Sequence, residues 1–139
     1  MGGAVYVGRS PNGGVRFDLL GIRVNLYCTL DGNMASRDTP PFRGADVIFE
    51  CGDNEVIFKA RSNDYGFSYS FAMPESVMPF FPLQSNCNIV VNTTLSSCNS
   101  TLPSVGALQS GIKSVGTSVV GNLVVANFVP KGFLYNSSI

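Results

Sequence analysis

The sequence contains no histidine among its 139 residues. Without histidine, the chain cannot build a Ser-His-Asp or Cys-His catalytic group or a His-ligated zinc site. No glycine-rich phosphate loop follows a predicted strand. A carboxylate pair for glycoside hydrolysis remains possible, because Asp46 and Glu50 share one face of a predicted strand. That face lies opposite the one with Cys51, so the favoured interpretation is that the two carboxylates are solvated on the exterior of a sheet. The sequence therefore predicts no enzyme, no catalytic residue, no metal site and no cofactor.

Charge is also scarce, at 13% of the residues against 45% hydrophobic residues, and the net charge is zero. Because no basic cluster exists, we exclude nucleic acid as a partner. Only Lys113 and Lys131 carry charge after Glu75. The longest strongly apolar stretch, residues 119–129, is broken by glycine and asparagine and is shorter than the roughly 20 residues of a spanning helix. We expect no transmembrane segment, but an apolar working surface in the charge-poor half.

The cysteines indicate the compartment. They are even in number, and each lies in or beside a predicted strand: Cys28, Cys51, Cys87 and Cys98. None has C-x-x-C spacing, so two structural disulfides in an oxidising compartment are expected. Three sequons for glycosylation agree: Asn92, Asn99 and Asn136. The chain begins without a basic segment and apolar core. A cytosolic protein is the alternative, but we expect a secreted, extracellular glycoprotein whose leader is absent from this chain.

Apolar and polar residues alternate with a period of two along residues 22–30, which is typical of a half-buried strand. Further strands are predicted at residues 45–51, 55–61, 67–71, 88–93, 119–128 and 133–135. Together they predict an all-β, antiparallel barrel or sandwich of about seven strands with two disulfides. A single helical turn could begin at Pro74. For residues 108–118 a short helix remains an alternative. We expect a flexible lead-in over residues 1–20 and one domain over residues 21–139.

Particular side chains should form the core of this domain: Ile22, Val24, Leu26, Val47, Phe49, Phe67 and Val90. The alternating aromatics Phe67, Tyr69 and Phe71 could stack on sugars, but core packing is the favoured interpretation.

Several segments resemble a known family. Ile-Arg-Val-Asn-Leu-Tyr-Cys at residues 22–28, the Pro-x-x-Gly-Ala-x-Val-x-x-x-Cys element ending at Cys51, and Asn-Asp-Tyr-Gly-Phe at residues 63–67 resemble the plant pollen-allergen and extensin family of secreted β-barrels. Within it, residues 85–91, 98–106 and 130–133 are similar to the phylloplanins, proteins of the leaf surface. The resemblance covers about residues 20–135.

The resemblance implies nested disulfides, Cys28 with Cys98 and Cys51 with Cys87. The family's usual pattern has six cysteines, whereas this chain has four. It also implies a secreted, non-enzymatic plant surface protein with an antimicrobial or defence role, which acts by binding or coating a microbial surface or cell-wall component. The alternative is a cell-wall module that binds polysaccharide. No oligomeric state is predicted.

Overall fold

Nine β-strands in two sheets form the framework of the fold in a computed structural model that describes residues 17–139. The strands are β1 (Leu19–Asn25), β2 (Asp46–Cys51), β3 (Glu55–Arg61), β4 (Phe67–Ala72), β5 (Cys87–Val91), β6 (Ala107–Ser110), β7 (Ile112–Val120), β8 (Leu123–Pro130) and β9 (Leu134–Asn136). Two one-turn helices, α1 (Pro74–Val77) and α2 (Leu83–Asn86), precede β5, and short 3-10 turns occur at Met78–Phe80 and Leu95–Ser97. No helix in this part of the chain is long and apolar enough to cross a bilayer.

The two sheets are open. The four-stranded sheet has the order β4-β1-β8-β7, and the five-stranded sheet has the order β3-β2-β5-β6-β9. Over residues 17–139 the fold is therefore sandwich-like with nine strands, so the predicted count of seven was too low and the barrel alternative was wrong. The purely antiparallel prediction also fails at one pair, because β1 runs parallel to β8, with Leu19 opposite Val125.

The core lies between the inward faces of the sheets. Alternate side chains of β1 meet those of β2 and β5, as period-two alternation requires. Six of the seven predicted core residues are buried: Ile22, Val24, Leu26, Val47, Phe49 and Val90. Phe67, the seventh, is 38% exposed, so that prediction was wrong.

The segment around residues 108–128 also differs from the prediction. It forms the end of β6, all of β7 and most of β8, so the helix left open over residues 108–118 does not form, and the single strand predicted over residues 119–128 is divided by a turn. β7 and β8 make a hairpin in which Val120 pairs with Leu123. Gly121 turns the chain with a φ of 62°, a left-handed conformation that suits glycine in a two-residue hairpin turn. The predicted helical turn at Pro74 is confirmed as α1.

The two disulfides tie the sandwich together. Cys51 lies directly opposite Cys87 in the β2–β5 register, and their Cα atoms are 4.0 Å apart. Cys28 joins Cys98, with Cα atoms 6.0 Å apart. This second bond links the loop after β1 to the 3-10 turn at Leu95–Ser97. These are the pairs that the family resemblance implies.

A buried hydroxyl fixes the segment before β2. Ser62, at 4% exposure, donates a hydrogen bond from its hydroxyl to the carbonyl oxygen of Phe42 (2.6 Å) and accepts one from the N–H of Ala45 (2.8 Å). It therefore satisfies two backbone groups that would otherwise be buried without partners.

The predicted lead-in over residues 1–20 lies mostly outside the described residues. Of its last four residues, Phe17 is buried, and Leu19 and Leu20 belong to β1.

Candidate functional site

The edge strand β4 presents a row of aromatic side chains to solvent. Phe67, Tyr69 and Phe71 are 38%, 37% and 46% exposed, whereas Ser68 and Ala72 on the opposite face are buried. The expectation that these aromatics pack in the core was therefore wrong. The predicted alternation along residues 67–71 is present, but the small residues of β4 face inward, because large side chains of β1, β2 and β5 already fill the core.

We call the surface to which these rings belong the outer face of the four-stranded sheet. By strand alternation it comprises Phe67, Tyr69 and Phe71 of β4, Leu19, Gly21, Arg23 and Asn25 of β1, Leu123, Val125, Asn127 and Val129 of β8, and Lys113, Ser118 and Val120 of β7.

Side-chain hydrogen bonds cross this face from one edge strand to the other. The hydroxyl of Tyr69 donates to Oδ1 of Asn127 (2.8 Å), and Nδ2 of Asn127 donates to Oγ of Ser118 (3.0 Å). The Tyr69 ring also contacts that of Phe71, with centroids 4.6 Å apart. Asn127 is buried beneath the ring, so its amide finds partners within the chain.

Gly21 makes room for this arrangement. A Cβ atom there would lie 2.9 Å from Cε1 of Tyr69 and 3.0 Å from Oδ1 of Asn127. Both distances are shorter than ordinary carbon contacts. The ring of Tyr69 therefore lies over a glycine of the neighbouring strand.

The far end of the outer face is aliphatic. The β7–β8 hairpin carries no charge between Lys113 and Lys131. Near its tip Val119 and Val120 are 70% and 59% exposed, although they point to opposite sides of the strand, and Leu123 is exposed as well. The hairpin tip therefore extends past the core and leaves apolar side chains uncovered.

The other end of the outer face is basic and concave. A cleft of about 410 Å³ is lined by Arg23, Asn25, Asn33, Phe67 and Lys131, together with Val24, Val129, Pro130, Gly132 and Phe133. No acidic residue of the described chain lines it. Two cations, two amides and one exposed ring suit an anionic group attached to an apolar or ring-shaped body.

Hydrogen bonds fix the loop that supplies Asn33. Oδ1 of Asp31 accepts from the backbone N–H of Asn33 (3.0 Å) and from the hydroxyl of Thr29 (3.0 Å). These bonds, first that from Asn33 and then that from Thr29, hold the pKa of the Asp31 carboxyl below its ordinary value. The carboxylate is thus occupied within its own loop.

The other residues proposed from the sequence lie apart from this face. Asn92 follows β5 and Asn136 ends β9, and both are exposed. Asn99 is half-buried directly after Cys98, and its Oδ1 accepts two hydrogen bonds from Thr101. The use of these three sequons stays a prediction.

The strand that carries Asp46 and Glu50 belongs to the other sheet. Asp46 is bound by Arg61 (3.3 Å), and both groups are largely exposed, so the pair is a surface ion pair of small energetic weight.

Most of the chain is similar in sequence to known proteins. A family model described as "Phylloplanin antifungal protein" matches residues 16–139. The chain belongs to the phylloplanin family. Phylloplanin from Nicotiana tabacum is 32% identical to it over 119 residues, which cover 82% of this chain and 75% of that protein. No solved structure matches the chain. The wider kinship with pollen-allergen and extensin proteins stays a prediction.

Proposed function

We propose that this chain is a secreted, non-enzymatic protein of plant defence at the leaf surface, which inhibits fungi by binding or coating their surface. The description of its family as antifungal supports the defence role. Two disulfides and three sequons are what an extracellular protein would carry. The absence of histidine supports binding in preference to turnover.

The outer face of the four-stranded sheet is the observation that carries this proposal. Most soluble monomers cover their large apolar side chains or scatter them, and a contiguous exposed patch marks an interaction surface. Here exposed aromatic rings at one edge and exposed aliphatic side chains at the hairpin tip share one sheet, on either side of the buried Val125 and Asn127, and a side-chain network holds Tyr69 in place. The working surface therefore includes β4 as well as the charge-poor second half of the chain.

A second candidate function is a cell-wall module that binds polysaccharide. The cleft at the basic end favours it, because Phe67 offers a ring face, and Asn25 and Asn33 offer amide groups for sugar hydroxyls.

Inhibition of fungal spore germination by the oxidised protein tests the main proposal. The double variant Phe67→Ser and Phe71→Ser removes two half-exposed rings, and the dose for half inhibition should rise about tenfold or more, since each fully buried ring contributes about 1.5–3 kcal/mol. The matched control is Val105→Ser with Leu134→Ser, which removes two exposed apolar side chains away from the outer face. Equal potency of the two double variants would contradict the proposal.

Retention on insoluble wall polysaccharide tests the second candidate with the same proteins. Loss of retention in the Phe67 and Phe71 variant, with germination inhibition unchanged, would favour the polysaccharide function.

A further inference from the structure

We propose that the outer face of the four-stranded sheet docks on an anionic phospholipid bilayer, lying flat along its surface. This inference rests on the proposed function and names the chemistry of the microbial surface that the protein meets.

The apolar side chains of the face are those that bind the interface of a bilayer. Phenylalanine and tyrosine on β4 stand at one edge, and valine and leucine at the hairpin tip stand at the other. Aromatic rings favour the headgroup level of a membrane, and aliphatic side chains favour the acyl boundary beneath it. Val119 and Val120 are exposed on opposite sides of β7, so the tip presents apolar side chains on both sides of the strand, with the exposed, uncharged Asn122 in the turn between them and Leu123.

Charge complementarity selects an anionic surface. The four strands β1, β4, β7 and β8 contain no aspartate or glutamate, whereas Arg23 and Lys113 lie within them and Lys131 follows β8 directly. Anionic lipids attract such cations with about 1 kcal/mol for each side chain close to the surface. Arg23 and Lys131 share the cleft with Phe67, so one lipid phosphate could lie between two cations.

The nearest acids lie at the margins of the sheet. The carboxylate of Asp18 accepts a hydrogen bond from the N–H of Val124 (2.7 Å), just before β1 begins. Asp31 is bound by its own loop, the exposed Asp64 lies in the turn just before β4, and Glu75 lies in α1, beyond the end of β4. Residues 1–16 contain no acidic residue. The face therefore attracts anions without a competing carboxylate inside it.

A bilayer suits the centre of this face better than a glycan does. Sugar hydroxyls need hydrogen-bonding partners, but Tyr69, Asn127 and Ser118 are already bonded to one another. The rings of Tyr69 and Phe71 are tilted by 48°, so they do not form one flat platform for a sugar chain. Exposed aliphatic side chains lie beyond this centre, at the hairpin tip, where they suit hydrocarbon.

The geometry favours flat docking over insertion of the tip alone. Eight residues separate Leu123 at the tip from Lys131 at the basic end, which is about 26 Å of strand. An end-on protein would hold Arg23 and Lys131 beyond the Debye length of about 10 Å at 0.1 M salt. Only when the sheet lies along the surface do the cations and the apolar tip reach the bilayer together.

Vesicle flotation tests the inference with the full oxidised chain. Vesicles of 70 mol% phosphatidylcholine and 30 mol% phosphatidylserine should bind the protein at 50 mM NaCl, and vesicles of phosphatidylcholine alone should bind it at least tenfold more weakly. Replacing Arg23 and Lys131 together by glutamine should weaken binding to the anionic vesicles roughly 30-fold at low salt. The matched control replaces Arg43 and Lys59, which are exposed cations outside the four-stranded sheet, by glutamine. Its binding to the anionic vesicles should change less than twofold.

Several results would overturn the inference. Equal binding to both vesicle types, or equal losses in the two double variants, would remove the charge argument. As a folding control, each variant must match the wild type in its far-UV circular dichroism spectrum and its elution volume in size-exclusion chromatography. A wild-type dimer that buries Phe67 and Phe71 would identify a second copy of the chain as the occupant of the face. Binding to soluble polygalacturonate that depends on Arg23 and Lys131, without binding to vesicles, would assign the face to an acidic glycan.

The germination assay separates failure of this inference from failure of the proposed function. If vesicles do not bind but the Phe67 and Phe71 variant still loses germination inhibition, the membrane inference is wrong and the surface assignment stands. If vesicles bind but the wild-type protein does not inhibit germination, the proposed function is wrong and the membrane inference stands.

Discussion

Removing the disulfide between Cys51 and Cys87 should destabilise the sandwich about as much as truncating a large buried core side chain to alanine. The two cysteines face each other on neighbouring strands, are buried, and close a loop with a sequence separation of 36. The chain-entropy model gives about 4 kcal/mol for a loop of this length. Since small domains are stable by about 5–15 kcal/mol in total, the double variant Cys51→Ala and Cys87→Ala should lose a quarter or more of its free energy of unfolding.

Urea unfolding followed by circular dichroism measures this loss, with linear extrapolation to water. The companion variant Cys28→Ala and Cys98→Ala removes the bond between cysteines with a sequence separation of 70. It should lose at least as much free energy of unfolding, because the entropy of loop closure rises slowly with loop length. A loss below about 1 kcal/mol in either variant would refute the entropic reasoning. Free thiols in the wild-type protein would refute the pairing itself.

Three further results are expected. Ser62→Ala should lower the free energy of unfolding by about 1–3 kcal/mol, because a buried backbone N–H loses its acceptor, and an unchanged urea midpoint would contradict this. The lowered pKa of Asp31 means that its contribution to stability is complete above the unfolded pKa near 3.8 and is lost as the pH falls through the lower folded value; an NMR titration midpoint above 3.8 would be contrary evidence. Glycopeptide mapping of material from a secretory host should find Asn92 and Asn136 modified ahead of half-buried Asn99, and three bare sites would count against secretion.

The sequence predicted strand positions well where alternation was uninterrupted. Residues 55–61 form β3 with the predicted bounds, and the inward residues of β1 and β2 are buried as expected. Alternation fails to say which face is inward when both faces are plausible. In β4 serine alternates with aromatic residues, and only the tertiary structure places Ser68 inside and Phe67 outside.

The candidate site depends on contacts that no local pattern encodes. The parallel pairing of β1 with β8 joins residues more than 100 positions apart and brings Gly21 beside Asn127. That pairing creates the hydrogen bond from Tyr69 and places Arg23 in one cleft with Lys131. Two sequence signals pointed toward this surface: the scarcity of charge after Glu75, and the alternating aromatic residues at positions 67–71, for which core packing was the favoured interpretation.

The outer face as the working surface is the central claim, and one comparison of potency tests it most directly. Val120→Glu places a charge at the exposed hairpin tip, and Leu134→Glu places the same charge at an exposed position of the other sheet. Neither side chain is buried, so both variants should fold. The dose for half inhibition of spore germination should rise about tenfold or more for Val120→Glu, because a carboxylate resists burial against any apolar partner, and should stay within twofold for Leu134→Glu. Full potency of the folded Val120→Glu protein would contradict the account.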